Sequence, residues 1–362
     1  MDKNTITGFI LIALVVIGFS WYSQPSPEEL KAMAQRDSIA AVEQQKQAEA
    51  EQANSQVLTT TSVTPDSSAL FFSQLAGEGQ RVLLQNEKVK VGINSKGAVV
   101  EDAEIIGYKS RRREGDVVIL GKEDASMRLT LPLKQQNLCL ADLCFNVAEQ
   151  TDSSVMFVAE QGGKQLQVRY TLRPESYMLD MEIASEGMEG MTMPGASNLL
   201  VEWVARIPQQ EKGADFENRY SSLTYKRQGK SVKQLSETSD ESKKPEEALE
   251  WIAFKNQFFS AVLIGSQPMT QASLSTTQLP DEKDYLKRYE ASFQVPFDAT
   301  GKDATHLQMY LGPNDFHVLQ SHSKMTAYGS DADLDELVYL GWSFFRFINR
   351  WSILYIFDWL KA

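Results

Sequence analysis

The chain has 362 residues, and its 48 acidic and 36 basic side chains give a formal net charge of −12. Hydrophobic residues make up 42% of the sequence, so a sizeable core can form and a wholly disordered protein is excluded. An acidic chain repels phosphate backbones, which argues against nucleic acid as a partner. Two cysteines and three histidines are too few for a disulfide-stapled scaffold or a multi-metal protein.

The first predicted element is a transmembrane anchor at residues 1–24. An apolar run without charge begins at Ile6 and ends at Trp21 and Tyr22, which is at the short end of what spans a bilayer. A cleaved signal peptide is the alternative, but such peptides end in small residues. Trp21 and Tyr22 are instead typical of the membrane interface. Because Lys3 precedes the run and acidic residues follow it, the positive-inside rule places the N-terminus in the cytoplasm.

Residues 25–80 are predicted to form a helical and flexible linker. This region is rich in Ala, Gln, Glu, Ser and Thr and has no broad apolar stripe. Two interpretations stay open, a stalk that holds a domain away from the membrane and a tether with no role beyond its length.

A series of short β-type runs separated by turn residues is predicted within residues 81–330. The runs at 251–254 and 258–264 are continuously apolar, which indicates burial on both faces. So many strands without intervening helices predict a mainly β protein built as a large antiparallel sandwich. Helix is expected mainly at 313–322 and at the C-terminus. The other predicted strands are 88–93, 98–106, 165–172 (with Leu166, Val168, Tyr170 and Leu172 on one face), 177–183, 199–207, 285–295 and 306–311.

The two cysteines lie five residues apart in a segment that can form a hairpin. A two-residue turn at 141–142 would place Cys139 opposite Cys144, with Cα atoms ~4.5 Å apart, at the lower end of the disulfide range. An oxidising compartment permits such a bond. Two free thiols are the alternative, since Ala-Asp is a weaker turn signal than Asn-Gly.

No motif for catalysis is present in the sequence. It contains no Gly-rich phosphate loop before a helix, no His-Glu-x-x-His and no Gly-x-Ser-x-Gly. No enzyme activity and no catalytic, cofactor or metal site is therefore predicted. His317 and His322 are expected to be surface residues of the 313–322 helix. The basic run 111–113 is expected to be a solvated loop, with contact to anionic lipid or an acidic partner as the alternative.

The C-terminal segment, 331–362, is predicted to be an amphipathic helix that lies in the membrane interface. Eight of the 22 residues from 341 onward are aromatic, and the arginines share the face opposite to most of them. Each arginine would cost ~2.5–3.5 kcal/mol at the bilayer centre, so a transmembrane span is not expected. A core helix is the alternative. The residues predicted to contact the interface are Trp342, Phe344, Arg346, Ile348, Arg350, Trp351, Tyr355 and Trp359.

Five short motifs occur in a fixed order along nearly the whole chain. They are residues 1–8 (MDKNTITG) before the apolar run, 86–105 with its Gly-Ala turn, 251–264 with Trp before paired aromatics, 310–313 (YLGP) and 339–342 (YLGW). In this order they resemble YidC-type membrane protein insertases.

The resemblance implies more than the residues show. It implies a periplasmic supersandwich related to sugar mutarotases, held in the bacterial inner membrane. It also implies the Sec translocon, nascent membrane proteins and the phospholipid bilayer as partners. In that family the interfacial helix leads into five membrane spans, which follow the position of Ala362. We therefore expect the chain to supply the anchor and periplasmic domain of an insertase.

Two other hypotheses remain open. One is a stand-alone anchored periplasmic adaptor. The other is a sugar-binding sandwich, for which Trp203 and Trp251 are aromatic candidates, although both lie in apolar runs and are expected in the core.

Overall fold

The computed structural model describes residues 70–112, 114–134, 137–192, 198–326 and 331–338. The predicted anchor, most of the predicted linker and the chain from residue 339 onward lie outside these residues. No helix among the described residues has the length and apolar character that a bilayer span requires.

A small antiparallel sheet of four strands begins the described domain. Its strands follow chain order, β1 (Arg81–Gln85), β2 (Val89–Asn94), β3 (Val99–Lys109) and β4 (Asp116–Ile119). Side chains of β1 alternate between exposed and buried, as expected for a strand with one face on a core. Helix α1 (Phe72–Leu75) precedes the sheet, and the adjacent Phe71 is fully buried, so the predicted linker contacts the core before its end at residue 80.

The other strands form one fourteen-stranded antiparallel sheet. They are β5 (Ala125–Pro132), β6 (Asn137–Cys139), β7 (Asn146–Gln150), β8 (Ser154–Gln161), β9 (Lys164–Leu172), β10 (Met178–Glu186), β11 (Asn198–Pro208), β12 (Ser222–Arg227), β13 (Val232–Gln234), β14 (Glu241–Lys243), β15 (Leu249–Lys255), β16 (Phe259–Gln278), β17 (Tyr285–Pro296) and β18 (Thr305–Pro313). The helices are α2 (Ala214–Arg219) and α3 (Phe316–Ser323), with 3-10 turns at Leu140–Asp142 and Leu334–Leu337.

The long strand β16 belongs to two layers at once. Its first residues pair with β15 and β18, and its last residues pair with β14 and β17. The register shifts between Thr270 and Ser273, where Gln271 has a positive φ of 51°. An irregularity of this kind bends a strand, so β16 carries the sheet from one layer into the other.

The two layers face each other across an aromatic core. Trp203 of β11 stacks on Phe254 of β15, with ring centroids 3.9 Å apart. Tyr289 of β17 packs against the same phenylalanine at 5.5 Å. Trp203 and Trp251 are at most 1% exposed, which confirms the prediction that both belong to the core. The predicted antiparallel sandwich is thus confirmed.

The predicted alternation in β9 is also confirmed. Leu166, Val168, Tyr170 and Leu172 are at most 1% exposed, while the residues between them are half-buried. β15 is buried along its whole length, as its continuous apolar run predicts. Several short polar strands, among them β7, β13 and β14, were not predicted, because their mostly exposed residues leave no clear alternation.

The predicted cysteine hairpin is wrong. A 3-10 turn occupies Leu140–Asp142, Cys139 pairs with Thr130 of β5, and Cys144 bridges to Lys96. Residues i and i+3 of a 3-10 turn lie on one side, which lets Leu140 and Leu143 enter the core together. Both thiols are free in the structure. The disulfide therefore stays a prediction without the hairpin that motivated it.

The turn between β2 and β3 depends on two left-handed residues. Gly97 has φ 81° and Ala98 has φ 49°. The Gly97 N–H donates to the Leu143 carbonyl at 2.8 Å, and the Tyr170 hydroxyl donates to the Ala98 carbonyl at 2.8 Å. The turn thereby joins the small sheet to the sandwich.

We expect Gly97→Ala to destabilise the domain by about 2 kcal/mol. A left-handed alanine costs about 1–2 kcal/mol, and the new Cβ would lie 3.1 Å from the backbone Cα of Ala141. Gly107→Ala is the matched control, because Gly107 has φ 88° but no atom within 4 Å of a Cβ. Thermal unfolding followed by circular dichroism measures both variants. Equal losses would show that the contact with Ala141 adds nothing to the backbone strain.

Candidate functional site

The described chain ends in a segment, 331–338, that is fastened to the sandwich. Leu334 is fully buried, and Ala332 is 2% exposed. The backbone N–H of Leu334 donates to the Ser323 hydroxyl at 2.7 Å. The indole N–H of Trp251 donates to the Ala332 carbonyl at 2.7 Å. The predicted interfacial segment therefore begins in contact with the domain core.

A buried lysine provides the charged part of this attachment. The Lys226 ammonium lies 3.0 Å from a Glu250 carboxylate oxygen and 2.8 Å from one of Asp333. It also donates to the Asp331 carbonyl at 3.0 Å. An ammonium has three N–H donors, so the three acceptors match it. We call Lys226, Glu250, Trp251 and Ser323 the seat of segment 331–338.

The electrostatics of the seat favour a charged lysine. Burial lowers the pKa of Lys226, but hydrogen bonds with Asp333 and Glu250 outweigh burial and raise the pKa above its ordinary value of 10.5. The second carboxylate oxygen of Glu250 accepts the Gly229 N–H at 2.8 Å. Both oxygens of this buried carboxylate are thus occupied, as a buried charge requires.

Helix α3 carries His322 next to the seat residue Ser323. The prediction that this histidine lies on the surface is wrong. His322 is only 5% exposed. Its Nδ1–H donates to the Val318 carbonyl at 2.7 Å, and its Nε2 accepts the Tyr177 N–H at 3.1 Å, a tautomer assigned from the network. Tyr177 and Tyr310 pack against its ring. The last turn of α3 therefore faces the core, while His317 is exposed as predicted.

We expect acid to destabilise the domain through His322. Burial, with a smaller contribution from Arg173, lowers its pKa below 6.5. The unfolded chain therefore takes up a proton first, so stability is complete above pH 6.5 and falls as the pH drops through the folded pKa. Melting temperatures from pH 7.5 to 5.0 should fall more steeply in wild type than in His322→Gln. His317→Gln is the control, and equal slopes for wild type and His322→Gln would contradict the prediction.

The structure does not bring the other predicted site residues together. All ten residues predicted at the membrane interface lie outside the described residues. Cys144 donates its thiol to the Gly77 carbonyl at 3.1 Å, whereas the Cys139 sulfur lies 3.6 Å from an Arg128 nitrogen. The seat was missed by sequence analysis. A lysine in the mostly polar strand β12 has the pattern of an ordinary surface residue, and nothing local links it to Asp333.

The comparison with protein families decides what kind of domain this is. Residues 81–353 match the family described as the YidC periplasmic domain. The chain belongs to the YidC family. The match covers the sandwich, the seat and part of the segment beyond residue 338, so the predicted resemblance is confirmed.

Similar proteins from several bacteria carry the name membrane protein insertase YidC. The protein from Phocaeicola vulgatus is 37% identical over 364 residues, covering 100% of this chain and 58% of that protein. The protein from Bacteroides fragilis is 37% identical and that from Parabacteroides distasonis is 35% identical, and each match covers 59% of that protein's length. The chain thus spans somewhat more than half of the length of the curated relatives it matches.

Solved structures of mutarotase-like proteins also align with the sandwich. A galactose mutarotase related enzyme from Lactobacillus acidophilus has a TM-score of 0.40 and 12% identity, covering 64% of this chain and 97% of that one. A galactose mutarotase-like protein from Lactobacillus casei has a TM-score of 0.41 and 14% identity, covering 65% of this chain and 100% of that one. At these values the likeness carries no argument about function.

Proposed function

We propose that the chain is the front part of a membrane protein insertase and acts by binding and coupling rather than by catalysis. The relatives named as insertases support the general role, since they match the chain over 98–100% of its length. The observation that carries the coupling role is the seat. It ties residues 331–338, the first residues of the predicted interfacial segment, to the domain core.

The proposed arrangement places the parts on both sides of the inner membrane. Residues 1–24 anchor the chain with its N-terminus in the cytoplasm. Residues 25–80 connect this anchor to residues 81–330, which form the periplasmic sandwich. Segment 331–362 leads to the bilayer surface. Because Ala332, Leu334 and Leu337 of segment 331–338 are buried against the sandwich, a movement of the domain would also move the start of the interfacial segment. Emerging membrane proteins and Sec translocon components are the proposed contacts of the sandwich.

A chimera tests the proposed function. The chain replaces the matching 58% of the Phocaeicola vulgatus insertase, and the fusion is reconstituted in proteoliposomes. Insertion of a single-span substrate is measured by protease protection. Activity near that of the parent supports the proposal, and activity should fall in a chimera carrying Lys226→Met. A chimera that reaches the membrane, folds and yet inserts nothing would contradict it.

We expect the interfacial segment to bind lipid through its aromatic face. A synthetic peptide of residues 341–362 should bind anionic liposomes, and Phe344→Asp with Trp351→Asp should weaken binding at least tenfold. Two carboxylates would then have to enter the apolar side of the interface. Tryptophan fluorescence with increasing lipid measures the affinity. Ser343→Asp is the control, since Ser343 lies on the polar face in the predicted helix, and equal affinity of all three peptides would contradict the assignment.

A further inference from the structure

Two neighbouring cavities open on the side of the sandwich where the β3–β4 hairpin ends. The first has a volume of about 330 Å³ and the second about 560 Å³. Consecutive residues at the end of β3 line them in turn, with Tyr108 in the first and Arg111 and Arg112 in the second. Gln210 lines both cavities. We call the two cavities together the Gln210 trough.

Gln210 is held in place by its backbone but leaves its side chain unpaired. Its N–H donates to both carboxylate oxygens of the buried Glu217, at 3.0 and 2.9 Å. The residue is only 6% exposed. Within the described residues its side-chain amide has no hydrogen-bond partner among the protein groups. The amide atoms are not fully buried, so they face the cavities and are available to pair with a ligand.

The first half of the trough suits an apolar side chain. Tyr108, which is 41% exposed, meets the ring of Phe259 edge-on, with centroids 5.3 Å apart. Phe258 and Val117 complete the apolar wall. Phe258 is positioned by a side-chain turn, in which Asn256 accepts its N–H at 2.8 Å. These rings are therefore held in place before any ligand arrives.

The second half of the trough is charged. The Arg112 guanidinium lies 5.0 Å from the centre of the Tyr285 ring, and the Tyr285 hydroxyl donates to Asp124. Arg111 is exposed at the rim. A ligand that fills the whole trough must therefore present an apolar group followed by polar ones. A glycan repeats similar units, whereas a peptide changes its side chains from one residue to the next.

We propose that the Gln210 trough binds an extended peptide segment with an apolar residue between Tyr108 and Phe258. The Gln210 amide has donors and an acceptor, which match the C=O and N–H of one residue in an extended peptide, since these two groups point to the same side. Recognition through the main chain is independent of sequence, and the aromatic half adds a preference for apolar residues. The inference rests on the proposed function, since it makes emerging segments of membrane proteins the ligand.

The binding test uses the full chain in nanodiscs and a labelled peptide. The probe is a fluorescein-labelled decapeptide with Phe-Leu-Phe followed by Ser, Glu and Lys residues, and empty nanodiscs correct for lipid binding. Fluorescence anisotropy should show Gln210→Leu and Tyr108→Ala each weakening Kd about tenfold, the equivalent of one or two hydrogen bonds or a lost ring contact. Gln150→Leu, at an exposed position of β7, is the control.

A second probe distinguishes main-chain recognition from non-specific hydrophobic binding. The same peptide methylated at its central backbone nitrogens should bind wild type about tenfold more weakly, but should lose little further affinity for Gln210→Leu. Tyr108 is exposed, so Tyr108→Ala keeps the test valid if Gln210→Leu does not fold. Equal affinity of wild type and both variants would overturn the proposal that the trough binds a peptide, as would displacement of the peptide by a malto-oligosaccharide. Failure of the chimera with peptide binding intact would count against the proposed function alone.

Discussion

Replacing Lys226 by methionine is expected to destabilise the domain by about 3–5 kcal/mol, the usual cost of removing one partner of a buried ion pair. Methionine fills the same space but leaves the Glu250 carboxylate, which is 7% exposed, without its cation. It also removes the donor to the Asp331 carbonyl. The measurement is thermal unfolding of the full chain in detergent, followed by circular dichroism.

The effect of Lys226 should not depend on pH in the physiological range. Because its folded pKa lies above 10.5, its contribution is complete below the unfolded value and is lost only as the pH rises through the folded pKa. The loss in Lys226→Met should therefore be the same at pH 6 and pH 9. A loss confined to one end of that range would contradict the buried ion pair.

Two further variants make the Lys226 prediction specific. Lys230→Met breaks the pair with Glu247, whose side chains are 54% and 36% exposed, so a loss of at most about 1 kcal/mol is expected. Lys226→Met combined with Glu250→Gln should cost less than the sum of the single changes, because no buried charge is left alone. Limited proteolysis should also release segment 331–338 sooner in Lys226→Met. Unchanged cleavage would show that the lysine stabilises only the strands.

The sandwich could be predicted because the sequence pattern of each strand lies within a few consecutive residues. β9 and β15 show their burial through alternation or a continuous apolar run within a few residues. His322 shows the limit of this reasoning. Its spacing from His317 predicts opposite helix faces, but the sequence does not say which face meets the core. The ring is buried because Tyr177 and Tyr310 come from distant strands to pack on it.

The seat and the trough could not be predicted because their parts are far apart in the chain. Lys226 and Asp333 are separated by 107 residues, and each alone has the pattern of an ordinary charged residue. Gln210 becomes notable only when its side chain is seen without a partner beside Tyr108. The prediction of a hairpin between the two cysteines failed for a related reason. Burial of Leu140 and Leu143 decides the local turn, and that burial depends on the surrounding strands.

A second buried lysine, Lys287 of β17, is expected to have a comparable effect through a different mechanism. It is 0% exposed, and its ammonium donates to the carbonyls of Asn218, Ser221 and Glu237 at 2.8, 2.5 and 2.7 Å. Lys287→Met removes the donors to all three. We expect a loss of about 2–4 kcal/mol at pH 7, since each unpaired buried carbonyl costs about 1–3 kcal/mol while the buried charge is also removed.

The dependence on pH distinguishes Lys287 from the seat. Burial lowers the pKa of Lys287 from 10.5 to about 8, so between these values the folded state has released its proton and the unfolded state has not. Stability from this group therefore rises with pH, by about 2 kcal/mol between pH 7 and 9.5. Lys287→Met lacks this gain, so its deficit relative to wild type should grow over that range, whereas the deficit of Lys226→Met should stay constant. If the three carbonyls hold the proton so firmly that the pKa stays near 10.5, the two deficits will run parallel, and the burial of Lys287 will have been offset entirely by its hydrogen bonds.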